Sequence, residues 1–238
     1  MERGDIFLTN ESAISVVGAG GGNFTINADN LKISNSFIFG GIGRNSFNAE
    51  TQAGNINLNA TGLVELTNSS FIYNNVNSIG NAGDININTN SLLIAEGSII
   101  DTNTFGIGNA GNININARES ISLQGTGNLP WFDNSNNDIK LTTISSLVFP
   151  EAIGDAGNIQ LTARTLSVTD GATIYSDTFG KGNAGNITIN ARDTVSFNNY
   201  SSANSNTYID VAGNGGDILV KTANLSLTNG SYISTSTL

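Results

Sequence analysis

The chain has 238 residues with 28 glycines, two prolines, no cysteine, no histidine and a formal net charge of −10. Its acidic balance argues against nucleic acid, whose binding is driven by Lys/Arg contacts to phosphate, and no apolar run reaches the eighteen or so residues of a membrane helix. No basic start followed by an apolar core marks a signal peptide within these residues, and zero cysteine is neutral on redox compartment.

Residues 5–14 align with residues 165–174, so the chain opens on what looks like the second and third strands of a repeat. A glycine followed by Asn/Asp and an alternating run then recurs, at Gly22 (GNFTINA), Gly54 (GNINLNA), Gly83 (GDININT), Gly111 (GNININA), Gly157 (GNIQLTA), Gly185 (GNITINA) and Gly216 (GDILVKT). The separations are 32, 29, 28, 46, 28 and 31 residues, an underlying period in the range of stacked solenoids.

Within each period three short runs alternate apolar and polar residues, the mark of half-buried strands. The first runs are Phe24/Ile26, Ile56/Leu58, Ile85/Ile87, Ile113/Ile115, Ile159/Leu161, Ile187/Ile189 and Ile218/Val220. The second are Leu31/Ile33, Val64/Leu66, Leu92/Ile94, Ile121/Leu123, Leu166/Val168, Val195/Phe197 and Leu225/Leu227. The third centre on Ile38, Ile72, Ile100, Ile144, Ile174, Ile209 and Ile233. A strand this short cannot bury its apolar side alone, whereas the same strand stacked on its copy can. The expected fold is therefore all-β, a right-handed single-stranded parallel β-helix of about seven coils, each ~28 residues long with three short strands. The Asn/Asp residues after each glycine (Asn23, Asn55, Asp84, Asn112, Asn158, Asn186, Asp217) should form a turn ladder, because Asn tolerates left-handed conformations and bonds its own backbone.

One solenoid segment, residues 1–238, accounts for the chain, and departures from the period mark its loops. Residues 40–52 read as a long polar turn, and Phe105 and Phe179 occupy one repeat position at a corner. In coil four, Leu123 and Ile144 are 21 residues apart where the matching step in coils two, three and five is 6. An insert is placed at 124–141, and it holds Pro130, Trp131 and Phe132. A smaller insert is placed in coil six at 198–206, with Tyr200. The chain stops just past a third strand with no polar cap at either end. Both ends read as cut from a longer rod, with open edges suited to end-to-end self-association.

Two surface features invite a binding reading. Trp131, Phe132 and Tyr200 would emerge on one face, where aromatic rings beside Asn and Asp suit a glycan or cell-surface receptor; equally, the rings can fold back and staple their own loops. Arg118, Arg164 and Arg192 fall at one position in successive coils, with Glu119 and Asp193 beside them to neutralise the row. Arg3-Gly4-Asp5 spells an integrin-binding tripeptide, but three residues entering a strand match by chance. No residue pattern supplies a catalytic, cofactor or metal site: there is no Asp-Asp pair for glycoside hydrolysis and no repeated Asp/Glu cluster for a metal. A carbohydrate-active enzyme, lyase or hydrolase, is the alternative because the fold can carry one.

The runs GNAGNITINAR, at residues 182–192, and GATIYSDTFG, at 171–180, resemble the repeats of filamentous-haemagglutinin-like large exoproteins, especially those of cyanobacteria. The resemblance covers every coil. It implies a two-partner secretion passenger, exported unfolded through an outer-membrane transporter and folded outside the cell as a rod used in adhesion. It also implies an extracellular or outer-surface location, with no nucleic acid and no membrane insertion. The family's N-terminal secretion domain, with its Asn-Pro motifs, has no counterpart in these residues, and the repeats define a shaft, so no family site residue carries over.

Overall fold

The computed structural model describes residues 3–44, 46–125, 141–208 and 213–237. Among these residues it is all-β without a helix, its parallel sheets stacked as a β-solenoid of about six turns. One sheet has eleven strands, a second has eight, and Phe47–Gln52 pairs with Ile79–Asn81 in a small third. No helix is long and apolar enough to cross a membrane among the described residues.

Alternation in the runs decides which side chains face inward. In the first sheet Ile56, Ile85, Ile113, Ile159, Ile187 and Ile218 lie in register, as do Val64, Leu92, Ile121, Leu166, Val195 and Leu225. Those from Ile56 to Val195 are buried, and each fully buried aliphatic chain contributes about 1.5–3 kcal/mol. Because the stacked residues are alike, each apolar column fills the same cross-section at every level.

The first and second runs, expected as separate strands, fuse in the middle of the rod. Ile85–Ala95, Ile113–Gln124, Ile159–Thr169 and Ile187–Asn198 each carry both runs, with the register shifting at the bend between them. The small interior residues Ala117 and Ala191 sit at this bend, where no turn is needed to swing the chain around. Nearer the beginning, Phe24–Ala28 and Leu31–Ser34 stay separate. Residues 40–52 are likewise not one polar turn, since they include the paired strand Phe47–Gln52.

The second sheet stacks Ile14, Ile38, Ile72, Ile100, Ile144, Ile174, Ala203 and Ile233. Ala203, not Ile209, is the partner of Ile174, and Ile209 lies outside the described residues. The smaller insert placed at 198–206 is therefore not an insert. Ser202–Thr207 is a strand, and Phe197 is six residues from Ala203, as Val168 is from Ile174. The turn before it holds Asn199 and Tyr200 at φ 55° and 61°, replacing Asp170 and Gly171 at 57° and 78°. The same level carries Phe197, the largest fully buried side chain among the described residues, so a large residue accompanies the small one and interior volume is kept. The coil-four insert, 124–141, falls largely on residues 126–140, outside the described residues; Gln124 itself still pairs with Thr169.

The expected turn ladder is present, for a different reason. Asn23, Asn55, Asp84, Asn112, Asn158 and Asn186 each offer a side-chain oxygen to the backbone N–H of the next ladder member, at 2.7–2.9 Å, ending on Asp217. None of the seven has positive φ. They bond the neighbouring level rather than their own backbone. A parallel ladder runs Asn81, Asn109, Asp155, Asn183, Asn214. Asn112→Ala should cost about 1–2 kcal/mol, because it orphans the Asn158 N–H and removes a donor to Asp84. Urea unfolding measures this, and unchanged stability would mean that solvent serves these groups equally well.

Candidate functional site

Of the aromatic residues singled out, Trp131 and Phe132 lie outside the described residues. Tyr200 is half exposed, and its ring occupies the space over Gly230 in the next turn. Its N–H donates to the Asn229 carbonyl at 2.9 Å. Its turn therefore packs on the corresponding turn of the following level. Phe105 and Phe179 do share an environment: Phe105 stacks on Phe149 and Phe179 on Tyr208, each at 4.2 Å between ring centres.

The arginine row forms where the two runs of the first sheet meet. Arg164 donates to Asp193 (2.6 Å) and to Glu119 (3.4 Å), Arg192 donates to Asp193 (2.9 Å), and Arg118 donates to the Thr61 carbonyl (2.8 Å). Hydrogen bonds from Arg192 and Arg164 pull the Asp193 carboxyl down to about 2. The row is thus largely neutralised on the spot, and as an exposed network it adds little stability. Asp5 of the Arg-Gly-Asp tripeptide is also occupied, accepting from the N–H and side-chain amide of Asn30.

Sequence reasoning missed two features. The first is a pair of carboxyls on and beside the second sheet. Burial pushes Asp101 up to about 7, against a hydrogen bond from Asn75. One Asp101 oxygen is buried without a partner among the described residues. Burial likewise pushes Asp177 up to about 6, against bonds from the Asn206 N–H and the Tyr208 hydroxyl. Tyr175, which stands in the column of Asp101 beyond Ser145 and two residues before Asp177, is driven up to about 12, chiefly by burial. Strongly shifted acids are a signature of functional sites, but they lie two strand levels apart, roughly 10 Å. That exceeds the separation of about 5 Å needed by a carboxyl pair in a retaining glycosidase.

The second missed feature is a shallow groove on the outer face of the first sheet. Here the polar residues of the first runs, which the alternation assigned only to solvent, stand in two columns. Asn57, Asn86, Asn114 and Gln160 form one, and Asn59, Asn88, Asn116 and Thr162 the other. The amide of Asn86 donates to Asn57 and that of Asn114 to Asn86, both at 3.0 Å. Asn59 donates to Asn27 and Asn88 to Asn59, both at 3.1 Å. The groove encloses about 470 Å³. It adjoins a second hollow of about 430 Å³ reaching Asn27, Arg3 and Arg118. The legible signal was Asn at both outward positions of INLN, ININ and ININ.

Among the described residues, no three His, Cys, Asp or Glu side chains gather as a metal site. Against known proteins, the chain matches no family model, no curated protein and no solved structure.

Proposed function

We propose that this chain is a shaft segment of a secreted, surface-exposed, adhesin-like exoprotein of the filamentous-haemagglutinin type. In this reading the solenoid is a right-handed single-stranded parallel β-helix of about seven coils, each with three strand runs. The parent protein passes an outer-membrane two-partner secretion transporter and folds outside the cell. One observation carries the reading: the side-chain-to-backbone ladder from Asn23 to Asp217 runs unbroken across the repeats. A ladder of that kind resists bending and shear at every level, which is what a presenting rod requires.

Adhesion would be carried by surface groups on the rod. The test is a glycan array with a whole-cell adhesion assay on the 238-residue chain, beside a Trp131→Ala/Phe132→Ala/Tyr200→Ala variant of unchanged circular dichroism. Binding lost in the variant places adhesion on those aromatics. Binding by neither protein counts against any adhesive role for this segment and leaves it a spacer.

A carbohydrate-active enzyme on the same solenoid is the second reading, favoured by the raised carboxyls of Asp101 and Asp177. It requires reducing-sugar or unsaturated-product release from a polysaccharide panel, abolished by Asp101→Asn and Asp177→Asn. No release from the panel removes it.

A further inference from the structure

We propose that the amide-lined groove on the outer face of the first sheet binds an extended, uncharged polysaccharide lying parallel to the long axis of the solenoid. The inference concerns the shaft itself and holds whether or not the parent protein is an exported adhesin.

The first argument is preorganisation. An Asn side chain has two N–H donors and two acceptor lone pairs. Asn86 spends one N–H on Asn57 and one lone pair on Asn114, so its amide plane is set and one donor and one acceptor remain for a ligand. Asn59 is set in the same way by Asn27 and Asn88. Side chains already held in place lose less conformational entropy on binding.

The second argument is periodicity. Paired asparagines recur at three successive strand levels, Asn57/Asn59, Asn86/Asn88 and Asn114/Asn116, roughly 4.8 Å apart along the solenoid axis. Only a ligand that repeats its own polar groups in that direction gains from all of them. A sugar hydroxyl both donates and accepts, so a run of sugar units can satisfy every free amide group with one kind of contact. A single unit makes too few bonds, each worth about 0.5–1.5 kcal/mol net. A chain adds them after the cost of association has been met once.

The third argument is charge. The 470 Å³ groove is lined by Asn, Gln, Thr and Ile115 alone. Of the cations near it, Arg164 is paired with Asp193 and Glu119, while Arg3 and Arg118, the latter donating to the Thr61 carbonyl, line the adjoining hollow and keep their charge outside the groove. A polyanion would bring charges that nothing in the groove compensates. The array therefore selects for a neutral chain.

The test is calorimetric titration of the 238-residue protein with cello-, xylo- and manno-oligosaccharides from disaccharide to octasaccharide, beside oligogalacturonates of the same lengths. Affinity for at least one neutral series should rise by about tenfold or more between disaccharide and hexasaccharide. Asn86→Val/Asn88→Val/Asn114→Val/Asn116→Val introduces β-branched residues, which favour a strand, and should lose that gain. Should the fourfold variant misfold, Asn116→Thr places there the residue its column already carries at Thr162, and a loss of about threefold is expected. The proposal is overturned by no binding to any neutral series, by affinity independent of length, by full binding in a folded variant, or by oligogalacturonate binding as tightly. These outcomes read the groove through its four asparagines, whereas the shaft reading is judged by whole-cell adhesion and its loss in the Trp131→Ala/Phe132→Ala/Tyr200→Ala variant, so the two can fail separately.

Discussion

Gly157→Ala should destabilise the chain by about 3 kcal/mol or more, among the largest effects of any single substitution. Gly157 has no positive φ, so its backbone is open to any residue. The obstacle is the level next to it. A Cβ on Gly157 would approach the Gly111 carbonyl oxygen far inside van der Waals contact, and a similar overlap is met at Gly83, Gly111, Gly185 and Gly216 against the preceding glycine of the column. Relief requires moving backbone, and the backbone is held. The Gly157 N–H donates to the Ser146 hydroxyl at 2.7 Å, and the adjacent Asn158 N–H donates to Asn112 at 2.9 Å. Gly22 is the internal control. It occupies the same repeat position but has nothing within 4 Å of an added Cβ, so Gly22→Ala should change stability by less than about 1 kcal/mol. Thermal unfolding followed by circular dichroism separates the two variants. Equal, small losses in both would mean that the column tolerates a methyl group and that the repeated glycine serves something other than close stacking.

Stability should also fall as pH rises from about 4 to 7, against the usual behaviour of carboxylates. Both Asp101 and Asp177 have folded values above the unfolded 3.8, at about 7 and about 6. The folded chain therefore holds protons that the unfolded chain releases, and within that window each increment of pH favours unfolding. Asp193, lowered to about 2, acts in the opposite sense, its contribution fading as pH drops below the unfolded value toward 2. It is exposed, so its effect is small. Asp101 is raised by about 3 pH units and Asp177 by about 2; at about 1.4 kcal/mol per unit the combined cost of the two buried charges is about 7 kcal/mol, or on the order of 20 °C in Tm. Asp177→Asn suits its surroundings, since Asn75, Asn103 and Asn206 fill equivalent places in that column. The double variant Asp101→Asn/Asp177→Asn should match the parent near pH 4 and exceed it in Tm at pH 8. A parent as stable at pH 8 as at pH 5, or a double variant retaining the parent's slope, would sink the idea.

The glycine column illustrates what the repeat could and could not reveal. Its spacing located the strand levels, yet nothing local explained why glycine and not alanine precedes each Asn/Asp, because the clashing oxygen belongs to a residue 46 positions earlier at Gly157. The Asn/Asp ladder was legible as a ladder, but the reason offered for it belonged to another turn. The left-handed residues are Asn68, Asp170, Asn199 and their like between the second and third runs. Ala203 carries no local signal as a core residue, because the other levels hold isoleucine at its position and the next isoleucine, Ile209, lies six residues on.

By itself the sequence determined the strand class, the repeat and the two sets of inward residues in the first sheet, because two-residue alternation is a local property of an extended chain facing one core. Tertiary structure decided what each residue stacks on. It fused the first two runs, buried the Asp101 and Asp177 carboxyls and ranked outward asparagines into a groove. The physical reason is distance along the chain: neighbours in the ladders are 28 to 46 residues apart. No local pattern records which polar group will lie beside another once the levels are stacked.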